Sequence, residues 1–557
     1  MKKSLSLFLV FAILFGLFAF FPSESIAADS EPFDIEGVYN AILSSVENFS
    51  SFIDLRSFKI PAYILGQNLF VDDAYTAIVD RLRMDPHLYF VDFTKSSVTV
   101  LSNDNIMYGM TPKYSMTKAE AENAAVYIEE ETDKLLDLLP TTKGLTDVQK
   151  CIALHDLIVS EFAFDDYTTY RTLYDMLKNR KGVCQGYTIL YSYLLDKLGV
   201  ETAFSKSDAM AHVWSLVKLD SDWYHVDCTW DDPISDICPG YVAHEYLLKS
   251  DDAFITDDDP NGHYAVIDDY DCTSKKYDDA FWNSLTSPIY YTDAETYWYI
   301  AEDEEGHGKL VKCQNNKQTP VFSIDDFWYV YDEKSGDMLN AYYIGCFSGL
   351  AYYKNSFYFN GGYTIYRYDI ASGIVSEIKK INNKNGYINT LYLRGNTLYY
   401  QQSKDMYDYG TTYSIDISEY SRGLTDALPD DCEIVNNGDK SFVKGIKAGT
   451  VGSLSLPSYA VVRGPDGKVL GKTALIPSGA VIEITSSSVV IESAVIVISG
   501  DVDQDGKIGE SDQKKVRANV LGDGELTEIQ FLASDFDSNG IVDMEDYIAI
   551  RLNADNK

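Results

Sequence analysis

Gly182-Val183-Cys184-Gln185-Gly186-Tyr187, then Ala211-His212-Val213-Trp214-Ser215-Leu216-Val217 and Trp223-Tyr224-His225-Val226-Asp227-Cys228-Thr229, are the stretches that decide how the middle of this chain folds. After Cys184, apolar residues recur at Tyr187, Tyr191, Leu194, Leu195 and Leu198 and stop at Gly199, the spacing of a buried helix with Cys184 in its first turn. A thiol there feels the positive end of the helix dipole, which draws its pKa toward the reactive range. The commoner fate of a cysteine is inert burial. The two later runs flank Asp220-Ser221 and read as a β-hairpin with Leu219 opposite Asp222 and His212 opposite Thr229. That register sets Asp227 diagonal to His212 on one face, within reach of long side chains. A thiol, an imidazole and a carboxylate delivered together supply a nucleophile, a base for its proton, and an acid that fixes the base's tautomer and stabilises its cation.

These residues carry a family likeness. The GVCQGY around Cys184, the HVWS at His212 and the WYHVDCTWDDP from Trp223 to Pro233 resemble the transglutaminase-like superfamily of papain-type folds, over about 145–255. Leu154-His155-Asp156 and His244-Glu245-Tyr246-Leu247-Leu248 look like that family's flanking pieces. The resemblance implies Cys184 as nucleophile, His212 as base and Asp227 as orienting acid. It departs from the common motif at Val213 and Ser215, where Ala and Asn are usual, and this bears on the pocket. It also implies attack on protein amide bonds through a thioester at Cys184, ending in hydrolysis, deamidation or cross-linking according to what the groove admits. No cofactor is implied for this domain. The Cys184 backbone N–H, at a helix start, is the one oxyanion donor that the residues suggest. His225 shares a face with Asp227 and is a further partner or a packed sheet residue; His155, His244 and His263 read as structural.

Upstream, Lys118 to Leu139 carries Ala121, Ala124, Ala125, Ile128, Leu135, Leu136 and Leu138 at helical spacing, and Asp147 to Phe162 reads as a second helix. Downstream, short aromatic strands alternate with Gly, Asn and Asp turns; Leu350 and Phe357 are matched 41 residues later by Leu391 and Leu398. That period is propeller-like, but the segment holds only about three blades where closed propellers use about 4 to 8. Val and Ile then alternate with Ser, Gly and Pro in a small β-module. At the other end, Lys2-Lys3, an apolar run from Leu5 to Phe21 and the small residues Ser25-Ile26-Ala27-Ala28 read as a signal peptide. The expected order is a signal peptide at 1–27, an α+β region at 28–140, the cysteine domain at 141–285, the β-repeat region at 286–435, the β-module at 436–498 and a tail at 499–557.

The tail holds Asp501-Val-Asp503-Gln-Asp505-Gly506-Lys507-Ile508-Gly-Glu-Ser-Asp512, repeated 34 residues on as Asp535-Phe-Asp537-Ser-Asn539-Gly540-Ile541-Val542-Asp543-Met-Glu-Asp546. Each copy offers oxygens at loop positions 1, 3, 5 and 12, a turn glycine at 6 and a backbone carbonyl at 7, from Lys507 or Ile541. Asp543 adds a carboxylate at position 9 of the second copy, where the first has Gly509. Such spacing wraps one segment around one hard cation, so two Ca2+ are expected, with Ile508 and Val542 pairing the loops across a short β-contact. Asp at position 12 and the missing leading helices resemble the type I dockerin, a small all-α module that binds a cohesin domain on a scaffold protein. The resemblance implies that Glu510, Ser511, Met544 and Glu545 face cohesin.

With a net charge of −39 the chain would repel a phosphate backbone, which excludes nucleic acid as a partner. No second long apolar stretch follows the leader, so no integral membrane domain is expected in the mature chain. The eight cysteines have no framework spacing and read mostly as free thiols. The whole is thus expected to be a multidomain α+β protein: a papain-like transglutaminase core, β-rich repeats, a β-module and a calcium-binding dockerin. Its expected function is that of a secreted, extracellular, cellulosome-type docked cysteine enzyme acting on a protein substrate. The rival reading is a non-catalytic structural or binding component of a polysaccharide-degrading complex; no paired carboxylates point to glycoside hydrolysis itself.

Overall fold

Capping chemistry fixes where the helices around the centre begin. In the computed structural model Thr117 and Glu120 form a reciprocal capping box ahead of the Lys118–Leu136 helix, and Thr146 with Gln149 does the same for Asp147–Glu161. The structure describes residues 33–555, apart from short stretches of which the longer are 233–239, 257–261, 332–337, 344–348 and 405–409, together with Leu9–Phe11. The leader expected at 1–27 otherwise lies outside the described residues. Ala121, Ala124, Ile128 and Leu135 are buried on one face of the first helix, whereas Ala125 is exposed.

The chain divides into two compact units, Met1–Gly349 with Met406–Tyr409, and Leu350–Asp405 with Gly410–Lys557. In the first, a single hydrophobic core runs from Val38 to Cys313. It passes through the stretches read separately as 28–140, 141–285 and the start of 286–435. At its centre the Cys184–Lys197 helix buries Tyr187, Tyr191, Leu194 and Leu195, and Gly199 follows with φ +78°, the left-handed geometry that ends a helix. Against this helix lies a four-stranded antiparallel sheet in the order Leu247–Lys249, Asp222–Val226, His212–Leu219, Thr202–Ser207. The hairpin register is as expected from Leu219↔Asp222 to Ser215↔Val226. The ladder stops there, so His212 and Thr229 do not pair as strand residues.

The aromatic repeats form consecutive antiparallel sheets: four strands over 290–324, two over 327–343, four over 350–380 and three over 387–416. The 41-residue period is structural, since Leu350, Phe357, Leu391 and Leu398 occupy matching buried positions in two hairpins.

In the second unit, a five-stranded sheet spans 433–496 and the tail folds into helices Glu510–Val520, Glu528–Ser534 and Met544–Asp555. The second of these has its C-cap at Asp535, so the second loop has the leading helix that the sequence reading took to be missing. Phe442 and Val497 of the module share one apolar cluster with Val502, Val516, Ala533 and Ile550 of the tail. Six described cysteines, Cys151, Cys184, Cys228, Cys272, Cys313 and Cys432, are free thiols. Among the described residues no helix is long and apolar enough to cross a membrane.

Candidate active site

Cys184 is the first residue of its helix, with Val183 as N-cap, so its backbone N–H has no intrahelical acceptor. Thr188 Oγ1 donates to Cys184 O at 2.9 Å and to Val213 O at 3.2 Å, tying the helix start to the His212 strand. Ser215, one of the departures from the family motif, faces the same helix 3.5 Å from Ser192 Oγ. The Cys184 thiol is hydrogen-bonded to His212. His212 Nε2 lies 2.5 Å from Asp227 Oδ2, which leaves Nδ1 to the sulfur. Asp227 follows the end of its strand: its N–H donates to Tyr246 O, and its Oδ1 accepts from the N–H groups of Thr229 and Trp230 at 2.9 and 3.2 Å. The carboxylate therefore arrives from a turn and not from the ladder position that the hairpin reading expected, and it still meets His212.

Electrostatics within the trio favour an ion pair. Burial raises the Cys184 pKa, but the charge of His212, its hydrogen bond and the Val213 N–H outweigh that and hold the thiol below its ordinary value. Burial alone would lower His212; Asp227 and Cys184 push it up to about 10. Asp227, desolvated yet held by His212 and His263, sits well below the ordinary carboxylate range.

His263, read from the sequence as structural, belongs to this site. Its Nε2 lies 2.8 Å from the same Asp227 Oδ2, and its ring stacks on Phe254 and packs against Trp214 and Trp230. Burial lowers its pKa, so it stands as a neutral donor to Asp227. Nothing in the local pattern around 263 reports this; only the tertiary approach does. His225 does not reach Asp227: Trp214 Nε1 donates to His225 Nδ1 at 3.0 Å, which leaves its Nε2–H for Asp251 Oδ1 at 2.9 Å.

His155 and His244 form a clamp behind the site. His155 Nδ1 and Nε2 lie 2.9 Å from Asp156 Oδ1 and 3.1 Å from Asp231 Oδ2, and His244 Nε2 is 3.0 Å from Asp156 Oδ1. Asp156 Oδ2 accepts from Ile289 N, and Asp231 from Tyr246 N. All four side chains are buried, and the network joins the Asp147–Glu161 helix to the turn that carries Asp227. The structural reading of His155 and His244 thus describes their contacts.

A cavity of about 350 Å³ opens at Cys184 and His212. Met84, Phe164, Phe204, Met210 and Trp230 give it apolar walls; beside the Cys184–His212 pair, its charged side chains are Asp80, Arg83, Arg171 and Lys206.

In the tail, the structure brings Asp501, Asp503 and Asp512 together, and likewise Asp535, Asp537 and Asp546, each trio with carboxylate oxygens within 4.8 Å of one another. Gly506 and Gly540 have φ near +80°, as position 6 requires, and Gln504 and Ser538 are also left-handed. Asp505 and Asn539 instead accept from the N–H groups of Lys507 and Ile541, and Asp543 Oδ1 caps the last helix through Glu545 N. Asp535 Oδ1 is buried with no hydrogen-bond partner. Three converging carboxylates and an orphaned buried oxygen suit a hard cation. No β-bridge joins Ile508 to Val542 among the described residues; both pack into the tail's apolar cluster instead. Glu510, Ser511, Met544 and Glu545 are exposed.

The site and fold around Cys184 define a transglutaminase-like domain. Residues 139–228 match the transglutaminase-like superfamily, a span that contains Cys184, His212 and Asp227. A solved structure described as "Crystal structure of a TGase" is 14% identical, with a TM-score of 0.18, over 26% of this chain and 45% of that one. The chain thus spans less than half of that protein. Curated proteins give no match.

Proposed function

We propose that this is a cysteine enzyme that breaks protein amide bonds through a thioester at Cys184. One observation carries the reading: a half-buried thiol at a helix start, bonded to an imidazole that a buried carboxylate holds, at the mouth of a cavity. The Cys184 thiolate adds to the amide carbonyl carbon, and the helix-start N–H is available to the oxyanion. His212 then gives its proton to the departing nitrogen, the C–N bond breaks and the amine or ammonia leaves. Water or a primary amine next attacks the thioester while His212 takes its proton, and the thiolate is released. Hydrolysis, deamidation and cross-linking share these steps and differ in which amide enters and which nucleophile follows. Asp227 holds His212 throughout.

We further propose that the protein is exported and anchored by its tail, as a dockerin-like module that binds two Ca2+ and presents Glu510, Ser511, Met544 and Glu545 to a cohesin. In each loop the first, third and twelfth positions would hold the ion, which supplies positive charge to the converging carboxylates. The tail's apolar cluster and the exposure of those four residues support this.

The catalytic reading is tested with glutamine-containing protein donors, with or without a labelled primary amine, followed by mass spectrometry. Loss of ammonia with gain of water marks deamidation, label incorporation marks transfer, and chain cleavage marks proteolysis. Each should vanish in Cys184→Ala. Should Cys184 alkylate no faster than Cys432 at neutral pH, the reading is wrong.

A further inference from the structure

Acidic residues outnumber basic ones 85 to 46 in this chain, yet the cavity at Cys184 reverses the balance. Apart from the mutually neutralising Cys184–His212 pair, three of its four charged lining side chains, Arg83, Arg171 and Lys206, are cationic, against the single Asp80. Their partners are unevenly shared. Lys206 is well compensated, with Asp80 Oδ2 at 2.6 Å and Asp208 Oδ1 at 3.2 Å. Arg83 has only a long contact to the same Asp80, 3.5 Å from its Nη1. Arg171 makes no hydrogen bond or ion pair among the described residues. A guanidinium stays protonated in proteins, so this surplus is permanent.

The Arg83 backbone is also tied to the residue that follows the nucleophile. Gln185, the residue after Cys184, donates from Nε2 to Arg83 O at 3.0 Å. Arg83, Arg171 and Cys184 all line the first cavity, so both arginines and the sulfur share one electrostatic neighbourhood. A second cavity of about 500 Å³ adjoins the first, and Arg83, Thr168, Arg171 and Gln185 line both. An extended substrate crossing from one to the other would pass over the two arginines. One unpaired guanidinium, Arg171, and one loosely paired, Arg83, both with planar, forked donors, suit a carboxylate.

We infer that the acyl donor of this site carries a carboxylate close to the reacting amide, received by Arg171 and Arg83. The inference rests on the proposed Cys184 chemistry and narrows it from any protein amide to an acidic segment. In a chain with so negative an overall field, local cationic reception is what lets an anionic substrate stay once it arrives.

Iodoacetate and iodoacetamide test this without any knowledge of the natural substrate. Both alkylate a thiolate with loss of iodide and differ in carrying a carboxylate or its neutral amide. The ratio of their rates at Cys184, located by peptide mass spectrometry in the full-length protein, should exceed the ratio for glutathione. In Arg171→Met that ratio should fall about 3- to 10-fold, and in Arg171→Lys it should largely persist. Raising ionic strength should lower the wild-type ratio. An unchanged ratio in Arg171→Met, with Cys184 still reactive toward iodoacetamide, overturns the inference. Failure of both reagents to single out Cys184 instead overturns the catalytic reading beneath it.

Protection of Cys184 from iodoacetamide by short peptides then locates the carboxylate. A blocked peptide with a Glu side chain places it inside the chain; a neutral peptide with a free C-terminus places it at the end. Protection by either above a fully neutral peptide supports the inference, and equal protection by all three contradicts it.

Discussion

Asp227→Asn is the substitution from which the most can be worked out. In the wild type, Asp227 Oδ1 accepts two backbone N–H groups while Oδ2 receives His212 and His263. An Asn that keeps its oxygen on the Thr229 and Trp230 amides must turn its NH2 toward both imidazoles, so donors meet donors. His212 then gives up its role as a supported cation. What remains is burial, which lowers its pKa, opposed by Cys184 alone, so the value falls from about 10 toward the ordinary 6.5. The full drop is worth about 5 kcal/mol at 1.36 kcal/mol for each tenfold change in proton affinity; allowing half for relaxation and screening leaves about 2.5 kcal/mol, roughly 70-fold. The loss has the same direction at the sulfur: a thiol returned to its ordinary 9.0 is only about 1% ionised at pH 7. The assay is the pH dependence of iodoacetamide alkylation at Cys184. Wild type should reach its plateau rate at a lower pH than an ordinary thiol does, because His212 favours the thiolate. Asp227→Asn should react roughly 70-fold more slowly at pH 7 and recover as pH approaches 9. Superimposable profiles for the two proteins would refute the ion-pair reasoning.

Turnover in the wild type should also fade above about pH 10, where His212 loses its proton, giving a bell-shaped profile. His263→Ala removes one donor from Asp227 and should lower kcat/KM about 10-fold, while His263→Gln, which retains an amide donor, should recover most of it; equal losses in both would mean that only the ring's packing matters. The His155 clamp makes a signed prediction about stability. Burial would lower its pKa, but Asp156 and Asp231 raise it to about 9, so its contribution is complete below its unfolded value of 6.5 and is lost as pH rises through about 9. The melting temperature should therefore decline from pH 6.5 to 9.5, and His155→Gln should flatten that decline in calorimetry. For the tail, calorimetric titration of the full chain should find two Ca2+, and Asp535→Ala should leave one; two ions in that variant would remove Asp535 from the second loop.

Several elements needed no tertiary information. The 3.6-residue spacing after Cys184 and the stop at Gly199 marked a helix that the structure places at Cys184–Lys197. The two-residue turn at Asp220-Ser221 set a register that is kept to Ser215↔Val226. The 41-residue repeat corresponds to two hairpins with matched buried residues. Other features were out of reach. The ladder ends one residue before Asp227 because its carboxylate is taken up by the N–H groups of Thr229 and Trp230, a turn that strand alternation does not announce. Asp543, placed by spacing at position 9 of its loop, also accepts the Glu545 N–H at the start of the last helix, a cap that the loop pattern does not announce.

By itself the sequence determined the local frame: a thiol at a helix start, an imidazole and a carboxylate on one hairpin, and acidic loops with glycines where the backbone must turn left. Those follow from contacts within a few residues or directly across a turn, which spacing encodes. Only the tertiary structure decided that His263 shares Asp227 Oδ2 with His212 from 36 residues away, and that Arg83 is tied to Gln185 across 102. Such meetings depend on how whole elements pack around one core, and no periodicity along the chain carries that distance.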